Sequence, residues 1–370
     1  MESLDWCLNQ PKIELHAHLN GSVRDSTLLE LARALGERGV IDFNDVESVI
    51  SKDDRSLVEC FRLFDLIHVL TTDHATVTRI TKEVIEDFAS ENIVYVELRT
   101  TPKKNAVIGM TKRSYMEAVI NGLKSIDSVD VDYIPSGMAQ QNSSTTLTGD
   151  GIIGMSNGSV RKKIYVRLLL SIDRRETTAA AMETVKLALE MRDVGVVGID
   201  LSGNPVIGEW ATFLPALKFA KEQGLAVTLH CGEVPDRKEE ISAMLNFLPQ
   251  RIGHACFIKG EERIKLKSSK IPVEICLTSN IRTERFPSLE YHHFIDLYKS
   301  KHPMVLCTDD TGVFSTTLSR EYSLAASAFG LGRKEMFELT RSATEFVFAD
   351  DGVKISLREI FDAAAKNFML

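Results

Sequence analysis

Short apolar runs alternate along the chain with longer stretches of helical period. Eight runs rich in β-branched and aliphatic residues stand at 13–19 (IELHAHL), 93–99 (IVYVELR), 164–172 (IYVRLLLSI), 196–201 (VVGIDL), 225–231 (LAVTLHC), 251–255 (RIGHA), 273–277 (VEICL) and 304–307 (MVLC). Most are apolar through consecutive positions, as strands covered on both faces are. Segments 56–70, 75–90, 111–126, 175–192 and 207–223 between them read as helices, as do 335–348 and 357–367 near the end. Strand–helix alternation repeated eight times predicts an α/β fold, a parallel (β/α)8 TIM barrel. An open doubly wound sheet is the alternative, but no GxGxxG follows the first run.

Two connections exceed a standard βα unit. Residues 20–91, between the first two runs, can hold three or four helices and are expected to cap the barrel mouth. Segment 136–160 is poor in charge and rich in Ser, Thr, Gly and Asn. It reads as a flexible polar loop within one catalytic domain spanning 1–370, because strand–helix alternation resumes on both sides.

Composition narrows the classes. The 370 residues are 44% hydrophobic, enough for a large core, and the net charge is −8. Such a balance argues against a protein that coats nucleic acid, which usually carries a basic domain. No apolar run reaches membrane-spanning length. The N-terminal stretch MESLDWCLNQ has neither a basic segment nor an apolar one, so a cytosolic location is expected rather than secretion. Six scattered cysteines without CxxC spacing read as reduced core thiols. Nothing in the chain indicates obligate assembly, and a monomer is expected.

The candidate chemistry gathers at strand ends. His16 and His18 end the first run two residues apart, so both imidazoles face one space. Alone, that pair is as well read as two satisfied core histidines. But His230 ends the fifth run, His254 the sixth, and Asp309 and Asp310 follow the eighth. All lie at the C-terminal mouth, where such barrels build active sites. Imidazoles with a carboxylate suit Zn2+, one ion per chain, with a position left for water. Glu233 lies just past the fifth run, and Gly203, in DLSGNP, would let a ligand approach the backbone closely. His74, His292, His293 and His302 are expected to be exposed.

Taken together, HAHLNG, DLSG, HCGE, RIGH and TDD resemble, in order and over most of the chain, the adenosine/AMP deaminase family of zinc hydrolases. The resemblance implies a barrel of the metal-dependent hydrolase type, with His16, His18, His230 and Asp309 holding zinc. Glu233 would protonate purine N1, His254 would orient the zinc-activated water that attacks C6 and act as its base, Asp310 would bind the purine edge, and Gly203 would donate its N–H to ring N3. Zinc lowers the pKa of its water toward 7, and a closed, dry pocket would keep Glu233 protonated. The smaller zinc deaminases acting on flipped bases carry PCxxC, which is absent here.

Within the family the chain departs from the adenosine enzymes at two places. It has Asn20 where they have an aspartate that reads the free 5′-hydroxyl. It also has Thr100, Thr101, Pro102, Lys103 and Lys104 after the second strand. An amide, hydroxyls and lysines suit a phosphate. This resembles the adenosine deaminase-like branch, and implies hydrolysis of the purine nucleotide N6-methyl-AMP to IMP and methylamine, a salvage step. His68, on a cap helix, and Asp173, past the third strand, are further candidates for the nucleotide site. The alternatives are deamination of free adenosine, another amidohydrolase barrel acting on a base, and a ligand-binding protein that kept a deaminase fold.

Overall fold

The computed structural model describes residues 2–135 and 162–368; the polar segment at 136–160 lies outside them. Eight parallel strands run in the order of the chain around a nearly closed barrel: β1 (Lys12–His18), β2 (Ile93–Thr100), β4 (Lys163–Asp173), β5 (Val196–Ser202), β6 (Ala226–Cys231), β7 (Arg251–His254), β8 (Val273–Ile275) and β9 (Met304–Leu306). The short β3 (Asp130–Asp132) pairs with the outer start of β4. The barrel seam is drawn together just past β9, where the His18 N–H donates to Asp309 O (3.0 Å) and the Asp309 N–H to His16 O (2.8 Å).

Each strand of the barrel divides its residues between two environments. On β1, Ile13, Leu15 and Ala17 alternate with Glu14 and His16, and all five are fully buried. The apolar members of the strands join the helices in the hydrophobic core. The barrel interior instead holds charge: Glu97 and Arg99 from β2, Asp200 from β5, Arg251 from β7 and Glu274 from β8 are all buried and linked in ion pairs. Paired in this way, the buried charges avoid the full desolvation penalty of isolated ions.

Between β1 and β2 lie helices Asp25–Glu37, Phe43–Ile50, Leu57–Leu70 and His74–Ser90. Ser56 and Glu59 close the start of the third with a capping box. Buried Arg55 ties this region to the loop beyond β9, donating to Gly312 O (2.7 Å), Val313 O (3.0 Å) and Ser315 Oγ (3.0 Å). The segment read as one helix at 335–348 instead ends at Ser342 and continues as a 3-10 turn over Ala343–Glu345. All six cysteines are buried and free. No helix among the described residues is long and apolar enough to cross a membrane.

Candidate active site

Because β1 ends in H-x-H, two imidazoles leave the same strand on one side. His16 is fully buried and His18 lies nearer the mouth. One ligand atom each from His16, His18, His230 and Asp309 lies within 4.8 Å of the others. His16 Nε2 and His18 Nε2 are both 3.3 Å from Asp309 Oδ1, and His18 Nε2 is 3.2 Å from His230 Nε2. Asp309 holds a left-handed φ of 68°, an uncommon conformation for a non-glycine residue that turns its carboxylate toward the histidines.

The donor set fits a divalent cation. His16 Nε2 is buried with no hydrogen-bond partner among the described residues. Flanking carboxylates of Asp309 and Glu274 push His16 up to about 9 against burial and Arg99, so this spot draws positive charge. Burial pushes His18 down to about 4, leaving a neutral ring with a lone pair. Burial opposes ionisation of Asp309, but His16 and His18 outweigh it and hold the carboxyl well below the usual range. Three imidazoles and a carboxylate are donors that zinc favours.

Behind the ligands stands a layer that the sequence reading missed. His16 Nδ1 is 2.6 Å from Glu274 Oε2, and His230 Nδ1 is 3.0 Å from Asp200 Oδ1. Arg99 bridges these carboxylates, donating to Glu274 at 3.0 Å and to Asp200 at 3.2 Å. Carboxylates in this position fix the ring orientation of metal-binding histidines. Gly253 packs so closely on His16 that a Cβ there would fall 2.6 Å from its Cε1.

At the rim of the cluster, His254 Nε2 lies 3.8 Å from Glu233 Oε1 and 4.0 Å from Asp309 Oδ2. Burial, then Arg285, drives His254 well below its ordinary value, so the ring is neutral. Burial and neighbouring Asp309 raise Asp310 well above its ordinary value, which makes it a carboxylic acid able to donate. Its Oδ1 nests against Gly21, where a Cβ would come within 1.5 Å. Only glycine fits at that position of HAHLNG.

Glu233 is buried, as expected, but it is not an isolated acid in a dry pocket. Arg285 Nη2 donates to its Oε1 at 2.7 Å and Arg285 Nε to its backbone oxygen at 3.2 Å. The expectation that four histidines are exposed fails for all of them: His74 and His293 are half-buried and the other two are buried. His292 is buried between Asn280 and the Phe294 N–H, and His302 is buried with Nε2 2.8 Å from Ile271 O. Loop position does not imply exposure when the ring is claimed by internal hydrogen bonds, through both nitrogens in His292 and through Nε2 in His302.

The remaining candidates fall into three places. Thr100 is buried, its hydroxyl 2.7 Å from the Tyr115 hydroxyl, and Tyr115 in turn meets the Asn20 side chain. Thr101 and Pro102 follow it, and Lys103 donates to Thr71 Oγ1 at 3.0 Å. Burial, then the charge of Arg175, pushes Lys103 down to about 8. Burial lowers His68 to about 4, with Lys103 and Arg175 adding to it. Asp173 is clamped by Arg175 and lies beside Gly203, whose φ of 101° suits glycine. Lys104 turns away to pair with Glu183 at 2.7 Å.

A parallel barrel that gathers three histidines and an aspartate at its C-terminal mouth, backed by buried carboxylates, has the architecture of a metal-assisted hydrolase. The family model described as adenosine deaminase matches residues 11–364, and the chain belongs to that family of hydrolytic deaminases. It is 66% identical over 362 residues to a protein of Arabidopsis thaliana named N6-mAMP deaminase, covering 98% of this chain and 99% of that one. It is 38% identical over 368 residues to the N6-Methyl-AMP deaminase of Bos taurus, covering 97% and 95%. A crystal structure of Arabidopsis ADAL complexed with IMP superposes with a TM-score of 0.89 at 64% identity, covering 98% of this chain and 99% of that one.

Proposed function

We propose that this chain, as one catalytic domain whose 20–91 insertion covers the mouth, hydrolyses N6-methyl-AMP to IMP and methylamine. The observation that carries the reading is an imidazole, a glutamate and an aspartate, those of His254, Glu233 and Asp310, beside four side chains placed to hold one metal at the barrel mouth. The relatives named above, acting on or binding purine monophosphates, support the choice of substrate.

His16, His18, His230 and Asp309 would hold the metal, for which we propose zinc. When bound, it acts as a Lewis acid that makes water a competent nucleophile at neutral pH. The protein's own residues handle the rest. His254 Nε2 faces Asp309 and Glu233 across about 4 Å and is placed to orient the attacking water and accept its proton. Attack at C6 sends electrons to N1, where Glu233 delivers a proton. Asp310, kept neutral by burial and by Asp309, donates to the purine edge. The Gly203 N–H meets ring N3. The proton taken up by His254 passes to the amine nitrogen, methylamine departs as the C6–N bond breaks, and the remaining hydroxyl proton at C6 returns to Glu233 to leave the carbonyl of IMP.

Lys103, His68 and Asn20, with Thr100 behind Tyr115 and with Thr101 and Pro102 beside them, would receive the 5′-phosphate. An amide at position 20 accepts that anion where a carboxylate would repel it. Arg175 adds a cation to the same group. Steady-state turnover of N6-methyl-AMP, AMP and adenosine under one set of conditions tests the reading. The methylated monophosphate is expected to have the highest kcat/KM, and faster turnover of adenosine would overturn the assignment.

A further inference from the structure

The pair formed by Glu233 and Arg285 raises a question of atoms. A guanidinium has five donors and no acceptor, so a carboxyl oxygen that takes its hydrogen bond cannot at the same time carry a proton pointed at it. Arg285 Nη2 occupies Glu233 Oε1 at 2.7 Å, and the same oxygen is the one facing His254 Nε2 at 3.8 Å. No described residue hydrogen-bonds Glu233 Oε2. We propose that Arg285 is a positioning residue, which by occupying Oε1 and the backbone oxygen of Glu233 fixes the carboxyl plane and assigns the proton delivered to purine N1 to Oε2.

Three observations support this. The guanidinium grips Glu233 at two points, through Nε to the main chain (3.2 Å) and Nη2 to the side chain, a fork that a lysine cannot reproduce. Arg285 is itself built in by its backbone N–H, which donates to Asn280 O at 3.0 Å, so the clamp hangs from the same helix end that carries Asn280, the partner of His254. Its remaining nitrogen, Nη1, is buried without a partner among the described residues, a costly arrangement for a charged donor. Such a cost is tolerated where the placement of the guanidinium matters more than its own satisfaction.

Without Arg285, neither the backbone oxygen nor Oε1 of Glu233 keeps its guanidinium donor, and the carboxyl plane is free to turn.

The inference rests on Glu233 acting at N1, a step shared by every adenine substrate of the proposed reaction. Arg285→Met and Arg285→Lys should be assayed as metal-loaded full-length chains, with the best substrate of the wild type. Arg285→Met is expected to lower kcat by about tenfold to a hundredfold, the cost of a misplaced reacting group, while KM stays near the wild-type value, because Arg285 acts through Glu233 and not on the substrate. Arg285→Lys should also lower kcat, because the fork is lost. Wild-type kcat in either folded variant, or a loss carried by KM with kcat unchanged, would overturn the proposal. If Arg285→Met fails to fold, the kcat of Arg285→Lys decides alone. A wild-type enzyme that turns over no adenine nucleotide or nucleoside would instead refute the proposed function.

Discussion

His254 Nδ1 lies 3.0 Å from Asn280 Oδ1, and the other end of that amide lies 3.0 Å from His292 Nε2. An acceptor against Nδ1 favours the ring tautomer that keeps Nε2, the atom facing the metal cluster, free to accept a proton. Asn280→Ala removes that control. It is expected to cut kcat/KM by about tenfold to a hundredfold. Two buried imidazoles left without their partner should also cost about 1–3 kcal/mol of stability. Kinetics together with a melting curve check both effects.

Glu274 and Asp200 each stand behind one ligand histidine and share Arg99. Removing a carboxylate that orients a ligand typically costs about tenfold to a hundredfold in metal affinity. Asp200→Asn should weaken zinc retention within that range, measured by competition with a chelator of known affinity. Glu274→Gln should do more harm. Glu274 also takes hydrogen bonds from Arg251 (2.6 Å) and Thr228 (2.9 Å), so its loss strands buried arginines as well.

How far the site can be read in the sequence divides along this line. The ligand residues are legible because each interrupts an apolar run at its C-terminal end, where a barrel places its mouth. Arg99, Asp200 and Glu274 are equally visible as charges inside apolar runs, but runs read as uniformly apolar hide their period of two. β3 escapes notice because three residues, two of them acidic, carry no strand pattern. Arg285 has no local signal at all: its role exists only because the turn after Arg282 brings it over Glu233 from another strand's loop. His292 misleads for the opposite reason, since a histidine in a polar loop looks solvated until Asn280 and the Phe294 N–H claim both its nitrogens.

Lys103 gives a pH test of the phosphate site. Burial and Arg175 push its ammonium down to about 8. Below that pH it is charged and can pair with a phosphate; as pH rises through it, the charge and the pairing are lost. KM for the monophosphate should therefore rise above about pH 8, while KM for adenosine should not follow. In Lys103→Ala the monophosphate KM should be high throughout and lose this dependence. Parallel KM profiles for the two substrates would remove Lys103 from the phosphate site.

The central claim is that His16, His18, His230 and Asp309 grip a single ion on which turnover depends. Elemental analysis of the purified chain, read beside activity before chelation, after it and after zinc is restored, addresses that claim most directly. One zinc per chain, lost with activity and regained with it, is the expected result, and Asp309→Asn should retain neither. Full turnover in a chain stripped of metal would contradict the account.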